Sequence, residues 1–147
     1  MKKFLFSLVA ILLVQISAQA QQTAVFTKNG KAIDGYDAVA FFINKAPIKG
    51  EEAFAFTWNN TSWLFANQQN LDSFKTNPGK YAPQYGGYCA YGCSNGYKAP
   101  TQIDTWTIVN DKLYFNYNLK VKESWLKNKE ALIIKADENW ERIKEKQ

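Results

Sequence analysis

The sequence predicts an α+β fold, a small single domain with two or more antiparallel β-hairpins, a short central helix and C-terminal helices. Three observations predict it. Tight-turn dipeptides (Asn29-Gly30, Asn59-Asn60, Asn110-Asp111) each separate two stretches of strand character. Leu132, Ile133, Ala136, Trp140 and Ile143 recur at helical spacing near the C-terminus. Helical and strand segments do not alternate one for one, as a parallel βαβ sheet would require.

The elements follow in chain order. Residues 1–20 read as a cleaved signal peptide, with Lys2 and Lys3 as a basic start, an apolar run over 4–16, and Ala18-Gln19-Ala20 as the peptidase site. The apolar run is too short for a comfortable membrane span. Residues 21–147 then form one domain, opening on a loose leader at 21–24. Val25–Thr27 and Lys31–Ile33 flank the first turn, and Asp34-Gly35 makes another. The apolar run Ala38–Ile43 has strand length. Ala53–Trp58 and Thr61–Phe65 make the second hairpin. Asn67 caps a short helix carrying Leu71 and Phe74, which Asn77-Pro78-Gly79 ends. Residues 83–100, punctuated by glycine, read as a long loop of the kind that carries function. Asp104–Val109 and Lys112–Tyr117 form the last hairpin. Asn118 caps a helix with Val121 and Trp125, and the amphipathic C-terminal helix follows Asn128.

Composition narrows the chemistry. The chain has no histidine, which excludes a Ser-His-Asp triad, a Cys-His pair, a His-based zinc site and His haem ligation from its own residues. Losing Lys2 and Lys3 with the signal peptide leaves 16 basic against 13 acidic residues, a net charge of +3. The basic residues of 120–146 interleave with acids, the pattern of a solvated helix face and not of a nucleic-acid patch.

Two candidate sites remain. Cys89 and Cys93 are the only cysteines, and they admit three readings: a disulfide, inert buried thiols, or a metal or redox site. Soft thiolates favour copper as Cu(I), for which two sulfurs suffice. A helix would hold the pair apart, whereas a loop permits the bridge. The second candidate is a ligand pocket lined by Tyr85, Tyr88 and Tyr91, with Trp106 and Asp37 beside it. Its plainer alternative is tyrosines at the edge of a core, with Asp34 and Asp37 as turn residues.

Phe65-Ala66-Asn67-Gln68-Gln69-Asn70, then Phe74, Asn77-Pro78 and Tyr81, resembles the YHS domain family in its spacing. Asp37-Ala38-Val39 upstream is similar to that family's Asp-Pro-Val entry. The stretch from Tyr81 through Gly86-Gly87-Tyr88-Cys89-Ala90-Tyr91, and on through Lys112–Tyr117 and the Trp-bearing helices, resembles an exported bacterial branch. The resemblance implies a YHS-like domain at 21–147 with a C-terminal helical extension, and metal handling, copper above all. The family's two cysteine slots hold Ala66 and Asn70 here, so Cys89 and Cys93 become the expected metal ligands.

The expectation is a non-enzymatic protein, periplasmic or secreted, that binds a metal ion or a small molecule. Two alternatives stand beside it. One is a thiol-redox protein using Cys89 and Cys93. The other is a structural or protein-interaction module, its partner another exported protein, with those cysteines in a disulfide. Neither nucleic acid nor a membrane span after signal cleavage is expected.

Overall fold

The structure, a computed structural model, describes residues 24–146. The signal-peptide reading of 1–20 lies outside the described residues.

All three tight turns open hairpins. At each, both central residues are left-handed, with φ of 52° and 72° at Asn29 and Gly30, 50° and 55° at Asn59 and Asn60, and 48° and 58° at Asn110 and Asp111. Type I′ turns demand this pair of positive angles, and Asn, Asp and Gly tolerate them best. The first turn joins β1 (Thr27–Lys28) to β2 (Lys31–Ala32); the second joins β3 (Glu51–Trp58) to β4 (Thr61–Phe65). Lys31 pairs with Ser62 in parallel, which fuses the two hairpins into one sheet of order β1-β2-β4-β3. The third turn joins β5 (Thr107–Val109) to β6 (Lys112–Tyr114) as a separate two-stranded sheet. This is the α+β architecture that the sequence predicts.

Two segments depart from expectation. The apolar run 38–43 is not a strand; it carries α1 (Ala40–Ile43). Asp37 Oδ1 accepts the backbone N–H groups of Val39 at 2.8 Å and Ala40 at 3.1 Å, which closes the first turn. A continuous apolar run does not separate a buried strand from a buried helix, and this local cap decided the outcome. Residues 83–100 are not one loop either. They contain a 3-10 turn at Gln84–Gly87 and a short helix between Ala90 and Ser94.

The remaining helices follow their caps. Asn67 Oδ1 accepts Asn70 N–H at 2.8 Å and starts α2 (Gln68–Thr76). Asn77 ends it and caps α3 (Pro78–Tyr81), where proline fits the first helical position. In chain order the helix at Ala90–Ser94 is α4. Asn118 caps α5 (Leu119–Leu126), and α6 runs over Lys129–Ile143.

The interior divides in two. One core gathers Phe41, Trp63, Phe65, Phe74, Leu113 and Phe115 under the larger sheet. The other gathers Tyr85, Cys93, Tyr114, Trp125, Ala136 and Ile143 beneath α4, α5 and α6. β6 serves both, because successive side chains of a strand point to opposite faces. Leu113 and Phe115 enter the first core, and Tyr114 enters the second. Edge-to-face pairs such as Phe41–Phe115, with centroids 5.4 Å apart at 82°, add about 0.5–1.5 kcal/mol each beyond their burial. Among the described residues, no helix is long and apolar enough to cross a membrane.

Candidate ligand-binding cleft

Three of the chain's five tryptophans, Trp58, Trp63 and Trp140, line one cleft of about 440 Å³. That volume lies within the usual range of small-molecule pockets, roughly 300–1,000 Å³. Trp58 comes from β3, Trp63 from β4 and Trp140 from α6. Tyr85, in the 3-10 turn, lies between these walls in sequence and lines the cleft with them. Asp137, Glu141 and Lys112 supply its charges.

Tyr85 is the most constrained of these residues. Its backbone is left-handed at φ 57°, a conformation that non-glycine residues adopt at a cost, while its ring is buried. Gly86 follows at φ 61°, and a Cβ there would stand 1.7 Å from the Ala24 carbonyl oxygen. Phe26 N–H donates to the Gly86 carbonyl at 2.9 Å and ties the turn to the residue just before β1. The Tyr85 hydroxyl donates to Asp137 Oδ1 at 2.8 Å, 52 residues on. Its ring stands against Trp140 at 5.9 Å and 61°. Burial raises the Tyr85 phenol well above its ordinary value, and the bond to the Asp137 carboxylate raises it further. The hydroxyl therefore stays protonated and keeps donating. Burial, then the Asp137 charge, pushes Tyr114 up to about 12.

Of the five residues that the sequence offers as a pocket, only Tyr85 is in the lining. Tyr88 packs on the Trp140 wall at 6.2 Å and on Phe26 at 5.5 Å. Tyr91 sits on α4 and packs against the second core. Trp106 stacks on Phe41 in the first core, 5.6 Å away. Asp37 is fully buried and wholly occupied. Oδ1 caps α1, and Oδ2 accepts Ala66 N–H at 2.9 Å and the Asn70 amide at 2.7 Å. These last two are the slots where the resembled pattern carries cysteines. Here they close a carboxylate–amide knot that joins α1, β4 and α2. Asp34 is a surface turn residue between Lys28 and Lys49, both at 3.9 Å.

Cys89 and Cys93 are both buried free thiols. Cys89 caps α4, its sulfur accepting Gly92 N–H at 3.4 Å and its S–H facing Asn116 Oδ1 at 3.6 Å. Burial pushes its thiol up, against the pull of the backbone N–H groups of Gly92, Tyr117 and Tyr91. Cys93 faces the second core, where burial, with Cys89 adding to it, pushes the thiol up to about 12. The thiolate is the form that ligates soft metals and attacks disulfides, and these surroundings oppose it. Among the described residues no three Cys, Asp or Glu side chains gather as a metal site.

The sequence did not single out Trp58, Trp63, Trp140, Asp137, Glu141 or Lys112. Asp137 and Trp140 stand three residues apart on α6, so one helix face presents a carboxylate beside an indole. That spacing was readable; the partner Tyr85 was not.

No known protein family, curated protein or solved structure matches the chain.

Proposed function

We propose that this chain is an exported, non-enzymatic, YHS-like protein that binds a small molecule in the tryptophan-walled cleft. One observation carries the reading. Tyr85 is held in a left-handed backbone, with its hydroxyl locked to Asp137, in a cleft lined by three tryptophans. Strain of this kind persists where surrounding structure over-determines it, and it clusters at ligand sites. Apolar walls with a few fixed polar groups are what small-molecule sites present.

Catalysis has little support. No histidine can activate a nucleophile, and both thiols are buried. The thiol-redox alternative needs an exposed, electropositive cysteine, and neither cysteine is one. The copper reading implied by the resemblance ranks below the cleft for the same reason.

The test is a fragment screen by NMR, observing the five indole N–H signals of the purified protein. Fragments of neutral, cationic and anionic character are added in turn. The expected result is saturable shifts at Trp58 and Trp140 with at least one class, lost in Trp140→Ala. Shifts confined to Trp106 and Trp125, or none with any fragment, would overturn the reading.

A further inference from the structure

We infer that the cleft selects an organic cation, a small amine or quaternary ammonium, seated between the indole faces and the Asp137 carboxylate. The inference rests on the small-ligand reading and names the ligand's chemical class.

Three observations lead there. First, Asp137 has a hydroxyl partner but no cationic one. Tyr85 donates to one carboxylate oxygen at 2.8 Å, and no lysine or arginine among the described residues lies within ion-pair distance of Asp137. Glu141, one turn further along α6, is already paired with Lys144 at 2.7 Å. Asp137 is thus the open negative charge of the cleft. Second, the walls are electron-rich. Trp58, Tyr85 and Trp140 are all in the lining, and the face of an indole or phenol ring attracts a cation. The chain uses the same attraction internally, with Lys49 Nζ 4.3 Å above the Tyr36 ring and Lys98 Nζ 5.2 Å above Tyr88. Third, the orientation is preset. The Tyr85 turn is fixed by the close approach of Gly86 to Ala24, so its hydroxyl holds one Asp137 oxygen and leaves the other for a ligand.

Lys112 is the opposing charge. It is an exposed lysine in the lining and would repel a cationic guest. Its presence makes the inference easy to break, because an anionic ligand would use Lys112 and ignore Asp137.

The experiment titrates the purified protein with choline and, separately, with its neutral carbon isostere 3,3-dimethylbutan-1-ol, following tryptophan fluorescence. The two probes share shape and differ in charge. Choline is expected to give a saturable change, with the isostere at least about tenfold weaker. Asp137→Asn, which keeps an acceptor for Tyr85, should weaken choline about tenfold while leaving the melting curve in place. Lys112→Ala should strengthen it. Equal binding of the two probes would overturn the cation and leave the cleft reading intact. So would fragment shifts at Trp58 and Trp140 with no response to choline. Weaker binding in Lys112→Ala with no change in Asp137→Asn would overturn it in favour of an anion. Absence of any response, together with a blank fragment screen, would sink both readings.

Discussion

Asp37 and Asp137 carry the same carboxylate into opposite surroundings. Asp37 is buried in the first core with four donors from its own chain: two from the first turn of α1, one from Ala66 and one from Asn70. Asp137 stands on the exposed side of α6 with one, the Tyr85 hydroxyl. A carboxylate whose lone pairs are all taken by backbone and amide groups is part of the scaffold. It has nothing left to offer a ligand. A carboxylate with spare lone pairs, lining the same cleft as Trp58 and Trp140, does. The contrast separates a scaffold carboxylate from one with spare acceptor capacity, and mutation can test it.

The largest expected effect is at Asp37. Asp37→Ala orphans four donors at once, three of them backbone N–H groups. It should cost about 3 kcal/mol or more, since unmet buried donors and broken charged bonds each cost on the order of 1–3. For a domain of this size that lowers the melting temperature by about 10 °C in calorimetry. Asp137→Ala should cost less than about 1 kcal/mol, because an exposed acceptor is readily replaced by water. Equal losses at the two sites would erase the distinction.

An intermediate effect is expected in alkali. Burial raises the thiols of Cys89 and Cys93 from 9.0 and the phenols of Tyr85, Tyr88 and Tyr114 from 10.0. Each group therefore keeps its proton to higher pH in the folded chain than in the unfolded one. The stability that follows is fully present below about pH 9 and is lost as pH climbs toward the folded values. Melting temperatures from pH 7 to 11 should hold level and then fall. Asp137→Asn should soften the fall above pH 10, because its charge helps to hold Tyr85 and Tyr114 protonated. A flat profile to pH 11 would contradict the burial of these groups.

A small effect, of the same order as that of Asp137→Ala, sharpens the second half of the contrast. Tyr85→Phe removes the hydroxyl's bond to the Asp137 carboxylate and its longer contact, 3.4 Å, with the Ile133 carbonyl, and should cost about 1 kcal/mol by chemical denaturation. The ring remains packed on Trp140 and Tyr114, so the fold survives. A loss several times larger would make the Tyr85–Asp137 pair a structural bond like those of Asp37.

The sequence made these two aspartates unequally legible. Local chemistry read well: three turns by their Asn, Gly and Asp residues, and two helix starts by Asn67 and Asn118, whose side chains bond within three residues. Asp37 was recognisable as a turn residue. Its bond to Asn70, 33 positions away, was not, because nothing local marks it. The same holds for Tyr85 and Asp137. Trp140 was readable as part of an apolar helical stripe, but its placement in a cleft wall depends on β3 and β4. The stretch 83–100 misled because its glycines do not mark a floppy loop. Gly86 is there for the close approach of Ala24, and at Gly92 a Cβ would come within 3.1 Å of the Tyr97 ring.

The Tyr85–Asp137 bond also has a meaning in time. It closes a span of 52 residues, and the cleft around it draws on Ala24 at one end of the described chain and Glu141 at the other. Hairpins close in microseconds over a few residues, whereas contacts between distant segments must first overcome the entropy of closing a long loop. The hairpins can therefore assemble while α6 is still being made, but the cleft cannot. An incomplete chain lacks one wall of the cleft. The cleft is thus complete only once the last helix is in place, and a chain trimmed ahead of α6 lacks the Asp137, Trp140 and Glu141 wall.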